Sequence, residues 1–261
     1  MPDASLRDVR AFWEGHPVAA TSVAHEPGSP EFFEEYDRLR EVNEPVDFSY
    51  RLHEFRDFVG KRVLDIGCGN GYVLSRFARE GAHATGIDLT KTAVDLSRRR
   101  FELMELSGQF VVGSAEELPF PTESFDAVTS MGVLHHTPDT SGAVAEVRRV
   151  LKPGGRLIVM FYHRNSAVYR RLQLRSRLRR RPLQELVNEV DGVGNPKGDV
   201  YSRAELRALL AGFTDVECSV GLLQGLPIKG RRFPPQSVLR PFESRWGWFL
   251  YAKGRKPAAA G

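Results

Sequence analysis

Apolar positions in the middle of the chain follow two periods, one typical of buried strands and one of amphipathic helices. The pattern predicts strands over 61–66, 83–88, 109–112, 125–130 and 155–162, with helices over 71–80, 91–105 and 139–150. Strands that alternate with helices require a parallel sheet covered on both faces. We therefore predict an α/β fold for this part of the chain.

The flanking regions have weaker patterns. Residues 1–59 hold apolar positions at helical spacing and are predicted to form a helical lid on a core at 60–163. A basic insertion, partly helical and broken by glycine and proline, is predicted at 164–200. In the segment 201–256, Ser202 and Glu205 have the spacing of a capping box that opens a helix. Final strands are predicted at 213–220 and 247–253, and a disordered tail at 257–261.

A glycine-rich turn follows the first predicted strand. The segment Val63–Gly71 has the sequence Val-Leu-Asp-Ile-Gly-Cys-Gly-Asn-Gly, and a helical pattern begins directly after it. A buried strand, a glycine turn and a helix together hold nucleotide-like ligands against backbone amides. Asp88 ends the next predicted strand, where a carboxylate can accept hydrogen bonds from both hydroxyls of a ribose.

The glycine spacing narrows the choice of ligand. A dinucleotide-binding turn has the pattern G-x-G-x-x-G, and Tyr72 occupies the position of its third glycine. The G-x-x-x-x-G-K-[ST] run of nucleotide hydrolases is also missing from the sequence. A dehydrogenase and a P-loop hydrolase are therefore disfavoured, and a tight turn without a ligand is the structural alternative.

Five segments, taken in order, resemble those of class I S-adenosylmethionine-dependent methyltransferases of the bacterial small-molecule type, which includes quinone-biosynthesis C-methyltransferases. The close resemblance covers about Gly60 to Val159. It implies a Rossmann-like, doubly wound, seven-stranded and mostly parallel sheet with an antiparallel edge strand. The segments are Val63–Gly71, Gly86–Leu89, Gly113–Phe120, Phe125–Val128 with Gly132–Asp139, and Leu151–Leu157.

The resemblance also implies the cofactor, S-adenosyl-L-methionine, with S-adenosyl-L-homocysteine as product and no metal. By resemblance, the glycine turn lies along the methionyl part, Asp65 orients its amino group and Asp88 binds the ribose. The segment around Ser114 flanks the adenine. The implied cofactor-binding residues are Asp65, Gly67, Cys68, Gly69, Asp88, Leu89, Ser114, Ala115, Glu116 and Met131.

One position departs from the family pattern. Many relatives have an acid where this chain has Ser114, and that acid accepts a hydrogen bond from the adenine amino group. A hydroxyl can also accept this bond, but without charge assistance the bond is weaker. A non-catalytic S-adenosylmethionine-binding protein is therefore one alternative to an enzyme.

Methyl transfer from a sulfonium requires an aimed acceptor, exclusion of water and, for some acceptors, a base. Histidine titrates near neutrality, so residues at two strand ends are candidates for that base. The alternative is that they line the cofactor or cap a helix, and that proximity alone drives the reaction. The catalytic candidates are His135, His136, Tyr162 and His163. Aromatic residues of the lid, which either close over the methyl group or pack in the core, are Trp13, His16 and Tyr36.

Charge is distributed unevenly along the chain. Through His163 there are 18 Lys+Arg and 25 Asp+Glu, a net charge of −7, whereas the remainder has 19 and 8, a net charge of +11, which together give +4. Much of the excess lies in an arginine run between Arg170 and Arg181. Such a run binds nucleic acid, an anionic membrane surface or an acidic substrate, or it forms the solvated face of a helix. In that last case Leu172, Leu174 and Leu178 would pack inward.

The acceptor is predicted mainly by exclusion. Amino-methyltransferases for adenine or glutamine have an [DNS]-P-P-[YF] tetrad where this chain has Ser130–Val133, without proline. We therefore predict transfer to an O, N, C or S atom of a small organic acceptor, with anionic acceptors included. The alternative is an anionic acceptor on a macromolecule or membrane, docked by the arginine run, with nucleic acid less favoured.

Remaining features bear on location and assembly. We find neither an apolar stretch long enough to cross a bilayer nor a signal peptide, so we expect a cytoplasmic protein, with peripheral membrane contact compatible with the arginine run. Cys68 and Cys218 indicate neither a disulfide framework nor a zinc site. The sequence carries no signal for an oligomeric state.

Overall fold

The computed structural model describes residues 4–17, 23–224, 226–228 and 231–258. The helices are α1 (Leu6–Gly15), α2 (Pro30–Asn43), α3 (Val46–His53), α4 (Tyr72–Arg79), α5 (Lys91–Leu103), α6 (Thr140–Val150), α7 (Ala167–Arg179), α8 (Leu183–Asn188), α9 (Arg203–Leu209) and α10 (Gln236–Trp246). The strands are β1 (Arg62–Ile66), β2 (His83–Asp88), β3 (Gly108–Val112), β4 (Phe125–Met131), β5 (Leu151–His163), β6 (Val200–Tyr201), β7 (Thr214–Gly221), β8 (Leu226–Ile228), β9 (Arg231–Phe233) and β10 (Phe249–Arg255).

The main sheet has the strand order β3-β2-β1-β4-β5-β10-β7, and β6 pairs with β5 beside this path. Strands β1 to β5 are parallel, whereas β10 runs antiparallel to both β5 and β7. The chain order reverses between β1 and β4, so the carboxyl ends of these strands open a crevice there. The predicted α/β fold is confirmed, and β6 is an eighth strand whose two residues are too few to show a period.

Each predicted core element is present, with ends that mostly differ by one or two residues. The largest difference is β5, which begins at Leu151 instead of 155. Its register against β4 shifts between the pairs Phe125–Leu151 and Ala127–Arg156. The strand therefore contains the glycine turn that the pattern placed before it, with Gly154 at a φ of +74°.

Adjacent residues of β1 show how the sheet is buried on both faces. Leu64 packs with Val128 and Val159 in the largest apolar cluster, which also includes side chains of α6 and α9. Val63 points to the opposite face, into a cluster with Phe55 and Phe77. Because strand side chains alternate between faces, a central parallel strand needs apolar residues at successive positions.

In the described residues, the N-terminal segment that was predicted to form a lid contains α1, α2 and α3. Arg100 of α5, which is 2% exposed, fixes α2 against the core. Its Nε donates to the carbonyl of Asn70 at 2.7 Å, and its terminal nitrogens pair with Asp37 at 2.8 and 3.0 Å. Removal of one partner from a buried ion pair is costly, so this contact ties the lid to the glycine turn.

The arginine run lies mainly on α7, and it corrects one hypothesis. Leu172 is buried as expected, but Leu174 and Leu178 are 57% and 75% exposed. Residues four apart share a helix face, whereas positions 172 and 174 lie on different faces. The hypothesis that all three leucines pack inward is therefore wrong for Leu174 and Leu178, which lie among the arginines at the surface.

The capping box is confirmed, because the Ser202 hydroxyl accepts from the amide of Glu205 at the start of α9. Among the helices of the described ranges, none is both long and apolar enough to span a membrane. The predicted disordered tail lies largely outside the described residues, which end at 258.

Candidate functional site

The turn after β1 folds back onto the end of β2. Gly67, Gly69 and Gly71 have φ values of +73°, +55° and +77°, a region that other residues rarely adopt. The amides of Gly67 and Cys68 donate to the carbonyl of Ile87 at 2.7 and 3.1 Å. A Cβ atom on Gly67 would also overlap the Val133 side chain, so packing requires glycine there as well.

Asp88 is the junction between this turn and α5. Its carboxylate accepts from the amide of Gly69 at 3.1 Å, and from the amide and hydroxyl of Thr90 at 3.0 and 2.9 Å. Burial raises the pKa of Asp88 above its ordinary value, and these hydrogen bonds oppose the rise. The backbone contacts thus orient a carboxylate at the wall of a cavity.

That cavity lies at the carboxyl edge of β1, β2 and β4 and has a volume of about 130 Å³. It brings together seven of the ten residues predicted to bind the cofactor. These seven are Gly67, Gly69, Asp88, Leu89, Ser114, Ala115 and Met131.

Three predicted cofactor residues lie behind the cavity wall. Asp65 is 3% exposed, and burial, together with the nearby charge of Asp88, raises its pKa well above the ordinary value. Cys68 is buried with its Sγ 3.4 Å from the Ser97 hydroxyl. Glu116 accepts from the amide of Asp139 at 2.7 Å. The hydroxyl oxygen of Ser114 already accepts from the amide of Glu116 at 3.1 Å.

Helix α1 forms the outer wall, with Leu6, Val9 and Trp13 facing the cavity. Glu14 holds this helix against the first turn of α5. Its carboxylate accepts from the amides of Lys91 and Thr92 at 3.2 and 3.1 Å and from the Thr92 hydroxyl at 2.5 Å. The sequence predicted a role for Trp13, but no local signal pointed to Glu14, which is 77 residues away from Lys91.

Of the four catalytic candidates, His136 alone lines the cavity. Its Nδ1 lies 2.5 Å from the Lys197 carbonyl, and its Nε2 lies 3.6 Å from the Asp191 carboxylate. Both nitrogens therefore face the insertion. The ring of Trp13 packs edge-on against His136 with a centroid distance of 5.3 Å.

The other three candidates lie away from the cavity. His135 is fully buried against Tyr162, at a ring distance of 4.2 Å, and burial lowers its pKa well below the ordinary value. Tyr162 donates to Asp191, and burial raises its pKa well above the ordinary value. His163 contacts the carbonyl of Gly247 at 3.1 Å. Asp191 was not predicted, because a single acid in a glycine-rich insertion forms no motif.

The described part of the chain contains no cluster of three or more His, Cys, Asp or Glu side chains that could hold a metal ion. Both cysteines are free thiols. The candidate site is thus a cavity walled by a glycine turn, an oriented carboxylate and small apolar groups. Such a site can bind a nucleoside.

Comparison with known proteins agrees with this geometry. Residues 64–159 match a family model described as a methyltransferase domain. The resemblance to methyltransferases seen in the sequence is thereby confirmed for this part of the chain. Two curated relatives are ubiquinone biosynthesis O-methyltransferases. That of Alkalilimnicola ehrlichii is 37% identical over 132 residues, 50% of this chain and 53% of the relative. The enzyme of Aromatoleum aromaticum is 39% identical over 139 residues, which are 52% of this chain and 57% of the relative.

The chain thus spans about half the length of these relatives. Among solved structures, a methyltransferase from Bacillus halodurans superposes with a TM-score of 0.58 and 20% identity, covering 81% of this chain and all of that one. The [4+2]-cyclase SpnF superposes with a TM-score of 0.57 and 22% identity, covering 91% of this chain and 86% of the cyclase. These likenesses establish the fold, which serves more than one reaction.

Proposed function

We propose that this chain is an S-adenosylmethionine-dependent methyltransferase that acts on a small organic acceptor in the cytoplasm. The observation that carries the proposal is the cavity at the switch in strand order, where Asp88 meets the glycine turn and Ser114. There Asp88 would bind the ribose hydroxyls, and Leu89 and Ala115 would flank the adenine. S-adenosylmethionine would supply the activated methyl group, and the protein would exclude water and aim the acceptor.

The charges behind the cavity favour a cationic ligand. Asp65 is buried and Asp88 is half-buried, and the negative charge of Asp88 disfavours ionisation of Asp65. A ligand with an ammonium and a sulfonium group relieves this repulsion, whereas an anionic nucleotide would increase it. The cationic methionyl end would in turn favour the ionised form of Asp65, although this residue lies behind the lining residues.

On the acceptor side, His136 is the proposed general base, because its ring forms part of the cavity wall. Asp191 would stabilise a positive charge on the imidazole, and Tyr162 and Asn195 orient Asp191 from two sides. The ring must turn to present Nε2 to an acceptor. The curated relatives are named O-methyltransferases, which favours an oxygen atom as the acceptor.

Titration calorimetry with S-adenosylmethionine and with S-adenosylhomocysteine tests the cofactor. We expect micromolar binding of both, weakened by about 1–3 kcal/mol in Asp88→Ala because the ribose loses charge-assisted partners. Asp95→Ala, at a partly exposed acid on α5, the helix that follows Asp88, is the matched control and should bind normally. Absence of binding by the wild-type protein would refute the proposal.

A methyl-labelled donor with a panel of hydroxylated acceptors then tests the catalytic assignment. His136→Asn should lower kcat about 100-fold if the imidazole accepts a proton, and the loss should shrink above pH 8 as acceptors ionise unaided. Asp191→Asn should give a smaller loss of the same kind. Unchanged turnover in His136→Asn would mean that proximity alone suffices.

A second candidate acceptor is anionic and membrane-associated. The observation in its favour is the exposed pair Leu174 and Leu178, which α7 presents among arginines. The wild-type protein would float with vesicles containing phosphatidylglycerol but not with neutral vesicles. Leu174→Gln with Leu178→Gln should abolish flotation, whereas Leu103→Gln, at an exposed apolar site on α5, should not.

A further inference from the structure

His163 was predicted to be catalytic, yet it lies at a second cleft that shares no lining residue with the cofactor cavity. The cleft sits at the carboxyl ends of β5 and β6, and α7, α9 and α10 contribute its other walls. Ligands of open α/β sheets bind outside the carboxyl ends of strands. The position of this cleft is thus suited to a ligand of its own.

The imidazole of His163 offers one free polar atom to this cleft. The residue as a whole is 3% exposed. Its Nδ1 lies 3.1 Å from the carbonyl oxygen of Gly247, which can only accept, so Nδ1 carries a proton. The described residues provide no hydrogen-bond partner for Nε2. Unlike the enclosed ring nitrogens of His53 and His135, this atom keeps contact with solvent, so a ligand or water in the cleft can reach it.

The rim of the cleft is strongly positive. Arg170, Arg203 and Arg245 line it, and none of its nine lining residues is acidic. Within the described ranges these three arginines form no ion pair, whereas neighbouring Arg164 pairs with Glu205 at 2.9 Å. Arg203 is held in place by a hydrogen bond to the carbonyl of Ser244 at 2.9 Å. Three uncompensated guanidinium groups around one cleft favour an anion.

The remaining wall is aromatic. Trp246 lines the cleft and stacks on Phe242 with a centroid distance of 5.6 Å. An indole beside guanidinium groups suits a ligand with a flat apolar body and a charged end. The guanidinium of Arg245 also lies over the indole, 5.9 Å from its centroid, so an inorganic ion would bind the arginines without using the aromatic wall.

We propose that this cleft binds a small aromatic acid, through a carboxylate or phosphate held by Arg170, Arg203, Arg245 and His163, with the ring against Trp246. The proposal does not depend on methyl transfer. Burial and the charge of Arg203 lower the pKa of His163, and the bond to Gly247 opposes this shift. The charged groups that face it from α7, α9 and α10 are all arginines, so a bound anion raises the pKa and binding takes up a proton.

Titration calorimetry of the full chain without cofactor tests the proposal, with phenyl phosphate, benzoate and inorganic phosphate as probes. We expect saturable binding, with phenyl phosphate about fivefold tighter than inorganic phosphate. Arg170→Gln and Arg245→Gln should each weaken phenyl phosphate about tenfold. Arg171→Gln is the matched control: it lies on the same helix but outside the cleft, and should leave affinity unchanged.

His163→Asn keeps a donor for the Gly247 carbonyl but lacks Nε2. It should lose the strengthening of benzoate binding that the wild-type protein shows as the pH decreases from about 7.5 to about 5.5. Equal weakening by Arg171→Gln, no saturable binding, or an unchanged pH dependence in His163→Asn would overturn the proposal. Binding of S-adenosylhomocysteine should be normal in Arg245→Gln, so failure of the cofactor proposal would be seen separately.

Discussion

The core at 60–163 and the segments that flank it build their functional walls in different ways. In the core, the turns that follow two adjacent strands form the wall, as where Gly69 after β1 and Thr90 after β2 both donate to Asp88. In the flanking segments, single side chains form hydrogen bonds with residues far away in the sequence. Glu14 accepts from the first turn of α5, and Asp191 accepts from Tyr162. Local geometry thus shapes the cofactor wall, and long-range polar contacts shape the lid and the acceptor side.

The strongest test of this contrast is Gly67→Ala. We expect a loss of about 3 kcal/mol or more in the free energy of unfolding, because strain at positive φ adds to overlap with Val133. Gly154→Ala isolates the strain, since its φ is +74° and no atom lies within 4 Å of the added Cβ; it should cost about 1–2 kcal/mol. Chemical denaturation measures both. Equal losses would show that contact with Val133 does not matter.

Arg100→Leu tests the main contact between lid and core. Asp37 and the Asn70 carbonyl would lose a buried cation, so we expect a loss of about 3 kcal/mol in unfolding free energy. Arg99→Leu, on the exposed side of the same helix, pairs with Glu102 at 3.3 Å and should change stability by about 0.5 kcal/mol or less. Similar losses in the two variants would mean that α2 does not depend on Arg100.

The buried side chain of His53 should make the stability of the protein depend on pH. It packs between the lid and the core, and burial with the charges of Arg40, Lys253 and Arg76 lowers its pKa to about 3. The unfolded chain binds a proton below its ordinary pKa of about 6.5, whereas the folded chain does not, so stability falls as the pH decreases below that value. Stability above about pH 6.5 is unaffected by this group.

Removal of the imidazole should remove this acid sensitivity. Between about pH 7 and about pH 5, His53→Leu should lose about 2 kcal/mol less unfolding free energy than the wild-type protein. Denaturant titrations at the two pH values measure the difference. An identical loss in both proteins would show that His53 takes up its proton in the folded state.

The smallest effect is expected for Glu14→Gln, which weakens the hold of α1 on α5. The glutamine side chain has one neutral acceptor oxygen in place of two charged ones, so its hydrogen bonds to Lys91 and Thr92 should be fewer and weaker. Helix α1 should therefore open more often, and S-adenosylhomocysteine should dissociate about threefold faster. Stopped-flow tryptophan fluorescence can follow this release. Arg7→Gln, an exposed change on the same helix, should leave the rate unchanged. Slower or unaltered release from Glu14→Gln would refute the role of this contact.

The same division explains which features could be predicted. The strands and helices of the core were predicted within a few residues, because each carries several apolar positions with one period. The glycine turn and Asp88 were predicted because their residue types follow from local backbone geometry. The exposed faces of Leu174 and Leu178, the two-residue β6 and the helix α10 were not, because each depends on what packs beside it.

The histidine residues show most clearly what could not be predicted from the sequence. Their place at strand ends was correct, but the sequence could not separate His136 in the cavity wall from His163 in a second cleft. Successive residues of β5 point to opposite faces, so Tyr162 and His163 enter different environments. Helices that lie much later in the chain determine which cavity or cleft each face of β5 borders.

By itself, the sequence determined an α/β sheet, a glycine turn with an acid at the next strand end, and a basic second part. These follow from local periods, from backbone conformations that glycine alone adopts readily, and from composition. The tertiary structure decided which carboxylates share a buried space, which histidine borders the cofactor cavity and where three arginines converge. Those features arise from packing between residues distant in sequence, and no local pattern encodes such distances.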